Sequence, residues 1–376
     1  MAVAAVEALG ARIRTGLLVS PAAVDAPTVF ESVVAGHPVP DEGSERAGRR
    51  ALQLAESIAP DETLLVLLSG GASALMAVAA DGISLDDKRQ TTDHLLRAGA
   101  DIHSLNTVRK HLSAIKGGQL AARAAGRSLT LVVSDVVGDD VSVIASGPTV
   151  ADASTFADAR AVLDTFGGPS AYPAAVVARL ERGARGELPE TPKPGDSRLS
   201  LAGVRVIGSR MVVMRAAAEE AERRGYRAVR LDTPVVGEAR DAAAAHVRLV
   251  TTYAHDRPRP FCIVSSGETT VHVRGRGKGG RNQEFGLAAA MTLSGAGAIH
   301  SFALASVGTD GVDGPTDAAG ALVDSTTIDR ARSAGLAPRE FLSDNNTYAF
   351  FDAIGDLVRT GPTGTNVGDL QIILIA

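Results

Sequence analysis

The chain has 376 residues, 45% hydrophobic and 22% charged, with a formal net charge of -5. That balance excludes an intrinsically disordered chain and leaves no basic footprint for nucleic acid, while the single cysteine, Cys262, excludes a disulfide framework. Two domains are the natural expectation at this length, and no apolar run is long enough to cross a bilayer, so a soluble, cytoplasmic protein is expected.

Residues 2–9 have helical composition and follow Met1 with no strand before them. Leu17–Val19 and Ser32–Val34 read as short strands, and His37, ahead of Pro38, as a structural residue in an extended segment. Glu45–Ile58 predicts an amphipathic helix, and Thr63–Leu68 a buried strand. Ser69, Gly70, Gly71, Ala72 and Ser73 follow at once and open a helix. A strand, a glycine turn and a helix start are the parts of a phosphate cradle, although neither a Walker loop nor a dinucleotide turn is present.

Asn106 to Gly118 reads as helical, which would put Arg109, Ser113 and Lys116 on one stripe suited to an anion. Leu129–Val133 predicts a strand ending in Asp135, Asp139 and Asp140. Carboxylates this close repel unless a cation sits among them, and magnesium beside a nucleotide is the economical reading; Asp139 or Asp140 could equally cap the next turn. Ser146–Thr149 is a further hydroxyl-rich turn. Two surface helices are expected over 152–185, and the Pro-rich stretch Gly186–Ser197 reads as a linker, dividing the chain into 1–195 and 196–376.

The second half should carry strands at Arg205–Ser209 and Arg227–Leu231, and helices at Arg210–Gly225 and after Gly237. Phe261–Val264 predicts a strand, Ser265–Glu268 a polar turn, and Thr269–Val273 another strand. Four glycines and four cations (Arg274, Arg276, Lys278 and Arg281) then fill Arg274–Arg281. An anion near the backbone explains that density: glycine admits phosphate oxygens to N–H groups, and the helix opened by Asn282 or Gln283 presents its positive end. A strand through Ser306 leads to the acidic turns of Gly308–Asp317, which hold Asp310 and Asp313. Leu370–Ile375 reads as a core strand. Polar, glycine-bearing loops after strands are where open α/β sheets bind ligands, and this set supports phosphoryl transfer or another phosphate-ester chemistry.

LLSGGASAL, NTVRKHLSAIKGGQLA, SDVVGDDVSVIASGPT, SSGETTVHVRGRGKGGRNQEF, GTDGVDGPTDAAGA and TGPTGTNVGDL together resemble the serial motifs of the glycerate 2-kinase family, whose C-terminal half is called the MOFRL domain. The resemblance covers nearly the whole chain. It implies an α/β fold, with a Rossmann-like N-terminal domain built on a parallel-type sheet, a smaller α/β C-terminal domain and an active cleft between them. It also implies transfer of the γ-phosphoryl of ATP, with Mg²⁺, to the 2-hydroxyl of D-glycerate. It allows a homodimer and involves neither nucleic acid nor membrane.

Carried over by motif, Arg281 resembles the arginine that assists phosphoryl transfer. Ser69, Gly70, Gly71 and Ser73 would hold phosphate or glycerate, and Arg109 and Lys116 would meet the glycerate carboxylate. Asp135, Asp139, Asp310 and Asp313 become candidates for magnesium or for accepting the hydroxyl proton, with Asp139 and Asp310 the metal ligands and Asp135 catalytic beside Lys116. Glu268, Lys278 and Asn282 complete the binding set.

Ala72 and Ser266 depart from the family pattern at small residues. Relatives carry a strand and a glycine-lysine-alanine turn ahead of the helix that opens here, so an N-terminal truncation with impaired turnover is one expectation. A hydroxypyruvate reductase-type oxidoreductase is the other alternative, against which the missing dinucleotide turn counts.

Overall fold

In a computed structural model, which describes residues 1–255, 257–296 and 301–376, the chain divides into two units. The N-terminal unit takes Met1–Val132 and Asp139–Val206; the C-terminal unit takes Val133–Gly138 and Ile207–Ala376. The division falls inside a strand rather than in the Pro-rich stretch 186–197. That stretch is packed onto the N-terminal unit: the Thr191 hydroxyl donates to Asp152 at 2.9 Å, the Asp152 N–H donates to the Pro192 carbonyl at 2.8 Å, and Glu190 accepts the Phe156 N–H at 2.9 Å.

In the N-terminal unit β1 (Gly16–Ser20) and β2 (Phe30–Val34) pair in parallel. A second sheet has the order β3 (Thr63–Leu68), β4 (Arg127–Val133), β5 (Ala202–Gly208), with β3 and β4 parallel. Helix starts are set by side chains. Asp41, Ser84 and Thr155 form reciprocal capping boxes on Glu42–Glu56, Leu85–Arg97 and Phe156–Thr165, and Asp101 caps Ile102–His111. Each cap satisfies N–H groups left without an intrahelical partner and contributes about 1 kcal/mol. Leu95, Leu105, Phe156, Leu163 and Leu180, all at most 3% exposed, tie Leu85–Arg97, Ile102–His111 and Phe156–Thr165 to the helix Ala174–Ala184.

The helix over Asn106–Gly118 ends earlier than its composition suggests, at His111. Ser113 is the cause: it bridges to Ala79, and its hydroxyl donates to the Val78 carbonyl at 3.1 Å. That side-chain bond competes with another helical turn. Gly117 and Gly118, at φ 59 and 82, then carry the chain away. Arg109, Ser113 and Lys116 therefore do not share a helical face.

The C-terminal unit holds β6 (Arg227–Arg230), β7 (Val235–Glu238), β8 (Phe261–Thr270), β9 (Phe302–Gly308), β10 (Gly320–Asp324), β11 (Leu357–Val358) and β12 (Asp369–Ile375). They form one mixed sheet in the order β11-β10-β9-β12-β8-β6, with β7 also on β8. β6 and β7 run parallel to β8, whereas β12 is antiparallel to both β8 and β9. Side chains alternate across a strand. Phe261, Ile263, Ile373 and Ile375 accordingly meet the helices Ala239–His255 and Arg281–Ala296, while Cys262, Val264, Leu370 and Leu374 meet Arg210–Arg223. Both faces are covered, so these strands read as unbroken apolar runs.

Ser265–Glu268 is not a turn: β8 continues to Thr270. Its hydroxyls find distant buried partners, Ser265 with His246 at 3.0 Å and Ser266 donating to the Asp369 carbonyl at 2.6 Å. Burial holds His246 at about 4, and so neutral.

Ile373 is 0% exposed on the central strand. Ile373→Ala is expected to cost about 2–5 kcal/mol of unfolding free energy in a urea titration; a loss below about 1 kcal/mol would contradict this packing.

Candidate functional site

The N-terminal unit assembles its polar residues around the turn after β3. Gly71, at φ 80, brings that turn against the His37 ring, 2.9 Å from where a Cβ would sit. Ser69 and Gly70 are exposed at the turn. Lys116 is 4% exposed and donates from Nζ to both the carbonyl and the hydroxyl of Ser73 at 2.8 Å. Ser73 and Ser146 share a hydrogen bond of 3.1 Å, and the Ser146 hydroxyl also reaches Asn106 Oδ1 at 2.9 Å. Ala145, Ser146 and Gly147 all have left-handed backbone, at φ 53, 60 and 60. Two consecutive non-glycine residues there cost about 1–3 kcal/mol each, and such strain concentrates at functional sites. Burial, with Lys88 and Arg109 nearby, holds the Lys116 ammonium well below its ordinary value; burial also lowers Arg109.

In the C-terminal unit Arg281 opens the helix Arg281–Ala296. Its Nε donates to Asp369 Oδ2 at 2.8 Å, its Nη2 to Asp369 Oδ1 at 2.9 Å, and its Nη1 to Glu268 at 3.0 Å. Asp369 is 0% exposed and also accepts from the Asn282 amide at 2.9 Å. Burial pulls the Arg281 guanidinium down, but Asp369 and Glu268 outweigh it and keep the group raised and charged. Asp313 accepts the backbone N–H groups of Asn282 and Gln283 at 3.0 and 2.9 Å. Burial nevertheless pushes its carboxyl up to about 6.

These bonds change the reading of the glycine and cation loop. The Arg274 and Gly275 N–H groups donate to Asn345 Oδ1 at 2.7 and 2.9 Å, that of Arg276 to Asp344 at 2.9 Å, and that of Lys278 to Asn346 at 3.3 Å. A Cβ on Gly275 would lie 2.2 Å from the Asp344 carbonyl, and one on Gly277 2.2 Å from Asn346. The glycines therefore admit the chain's own segment 344–347, and the positive end of the following helix is taken by Asp313. Lys278 lies over the Tyr348 ring at 4.7 Å.

The expected residues thus gather into two groups: Ser73 with Lys116, and Arg281 with Glu268, Asn282 and Asp313. Asp310 instead accepts the nearby Val312 N–H at 3.0 Å. Asp135 is half-buried and raised by burial. Asp139 has left-handed backbone at φ 53 and one buried carboxylate oxygen with no hydrogen-bond partner. Among the described residues no three His, Cys, Asp or Glu side chains converge on a point, so Asp139 and Asp310 do not belong to a preformed metal cage. Asn106 and Ser146 stand in the first network and Asp369 at the centre of the second; all three lie in the quoted motifs, but the sequence assigns none of them a role. Asp369 is the acid of TGPTGTNVGDL, and its partner 88 residues away gives it its role.

Residues 261–369 match the MOFRL family, and residues 1–181 match a family described as a domain of unknown function (DUF4147). A D-glycerate 2-kinase from Thermotoga maritima is 42% identical, over 100% of this chain and 88% of its own. A putative hydroxypyruvate reductase from Agrobacterium vitis is 43% identical, over 92% of this chain and 77% of its own. The crystal structure of a glycerate kinase from Thermotoga maritima superposes with a TM-score of 0.91 at 41% identity, covering 100% of this chain and 88% of the other.

Asp369→Ala is expected to destabilise the protein by about 3–5 kcal/mol in urea unfolding, because it strips a buried charge pair of one partner. A change below about 1 kcal/mol would show that Asp369 does not hold Arg281 in place.

Proposed function

This chain belongs to the glycerate 2-kinase family, and from that premise we propose that it transfers the γ-phosphoryl group of ATP to the 2-hydroxyl of D-glycerate, yielding 2-phosphoglycerate and ADP. The observation that carries the reading is the identity of 42% across the whole chain to a D-glycerate 2-kinase, together with a guanidinium anchored on a fully buried carboxylate.

Phosphoryl transfer asks a protein mainly for positioning and for charge stabilisation. Arg281 suits the second task. Asp369 fixes one edge of its fork, and only Glu268, 49% exposed at its side chain, engages Nη1. An exposed ion pair of that kind is worth little, so a phosphoryl oxygen can take the place of Glu268. Two further N–H donors of the fork remain available. Lys116 and Arg109 meet the glycerate carboxylate, and Ser73 presents its hydroxyl and carbonyl on Lys116. Asp135, whose carboxyl burial raises, is our candidate to accept the substrate hydroxyl proton.

Magnesium bound on the nucleotide phosphates would neutralise charge there. Such an ion keeps several waters and needs only one or two protein carboxylates, which a chain without a preformed cage can supply. Asp139, with its unpartnered carboxylate oxygen, has free capacity for such an ion.

Protein supplied with ATP, Mg²⁺ and D-glycerate is expected to release ADP, and to leave NADH unconsumed with hydroxypyruvate; the reverse pattern would replace the kinase reading with a reductase. Arg281→Ala should lower the ADP-releasing turnover roughly 10²-fold or more. Unchanged turnover would remove Arg281 from the mechanism.

A further inference from the structure

Lys88 stands in no motif, on the helix Leu85–Arg97, yet its ammonium is drawn into the interior. The residue is 7% exposed, and Nζ donates to the Val78 carbonyl at 3.0 Å. The same carbonyl accepts the Ser113 hydroxyl, whose oxygen in turn accepts the Lys116 N–H at 3.4 Å. Lys88 is thereby gathered with Lys116 around one short stretch of backbone.

Among the described residues no carboxylate lies within 4.0 Å of the charged groups of Lys88, Arg109 or Lys116. Glu45 acts on Lys88 only from longer range, and it is already paired with Arg49 at 2.6 Å. Burial first, and Arg109 second, push the Lys88 ammonium down to about 7. The unit shows what a buried lysine kept for stability looks like. Lys110, 8% exposed, is paired with the buried carboxylate of Asp152 at 3.2 Å. Like charges buried together without such a partner are costly, and stability does not explain their retention.

We propose that Lys88 is a third substrate-binding cation: with the buried Lys116 and the half-buried Arg109 it forms a cluster whose missing counter-ion is the carboxylate of glycerate. This rests on the glycerate kinase reading and adds to it the residue that completes charge recognition. A compact ammonium and a planar guanidinium around one carboxylate satisfy several of its lone pairs at once.

The test is calorimetric titration of D-glycerate, and separately of ATP, into wild-type protein and Lys88→Met. Each ligand is added alone, so no turnover occurs. Lys88→Met is expected to weaken D-glycerate binding roughly tenfold or more, the size expected for losing a charged hydrogen-bond partner. ATP affinity should stay within about twofold, and the ligand-free thermal midpoint should be equal or higher, because a buried charge is gone and Ser113 still serves the Val78 carbonyl. Unchanged glycerate affinity overturns the proposal, as does a parallel loss of ATP binding with a lowered midpoint, which would mark Lys88 as structural. Wild-type protein that binds ATP but not D-glycerate overturns the kinase reading and this inference together. A second measurement needs no variant. Saturating D-glycerate should protect Lys88 from an amine-reactive anhydride, read by peptide mass spectrometry, and ATP should not; equal labelling with and without D-glycerate overturns the proposal.

Discussion

Asp369 is a carboxylate with no exposure to solvent, at the first position of the strand in the middle of the C-terminal sheet. A charge there is tolerable only when it is matched: Arg281 grips the carboxylate with two nitrogens and Asn282 adds an amide, while the backbone carbonyl of the same residue takes the Ser266 hydroxyl. The strand pairing of β12 fixes the carboxylate, the carboxylate fixes Arg281, and Arg281 is the first residue of its helix. Asp313 secures the same helix start from the other side by accepting its first free N–H groups. The guanidinium is therefore held by the core of the unit rather than by a surface loop, which is the kind of support a preorganised charge needs.

The two units treat charge in opposite ways. In the C-terminal unit every buried acid that approaches the Arg281 helix has a donor facing it, and the loop over Arg274–Lys278 has its N–H groups filled by Asp344, Asn345 and Asn346. In the N-terminal unit Lys88 and Lys116 are buried with only carbonyl, hydroxyl or longer-range acidic partners among the described residues, and the half-buried Arg109 stands near both. In the first arrangement the buried acids are matched without a ligand. The second is electrostatically unfinished, and a small anion finishes it.

Much of the framework is legible from residue pattern. Thr63–Leu68 and Leu370–Ile375 are apolar runs short enough to be strands, and both are; helices cover the faces of the second, whereas in the first only Val66 and Leu68 are buried, so it is less enclosed than its composition suggests. Ser265–Glu268 misleads: two serines, a glycine and a glutamate have turn chemistry, and only His246 and Asp369, far away in sequence, make them acceptable inside β8. The helix Ile102–His111 stops there because Ser113 spends its hydroxyl on Val78, a partner that no local window contains. The site divides along the same line. Residues in glycine-rich motifs, such as Ser73 and Arg281, announce themselves by composition. Lys88 sits in ordinary helix sequence and Asp369 at the end of a glycine-bearing motif that gives it no role, and the meaning of both comes from what surrounds them in three dimensions. The glycines of Arg274–Arg281 announce a close approach correctly, but the approaching group is the chain itself.

Phosphoryl transfer to one particular oxygen of glycerate is the central claim, and the product tests it most directly. Phosphorus NMR of the reaction with ATP and D-glycerate should show the phosphate bonded at the 2-position, as the doublet of a phosphate on a secondary carbon. A product phosphorylated on the terminal hydroxyl, or no phosphorylated glycerate at all, would contradict the account.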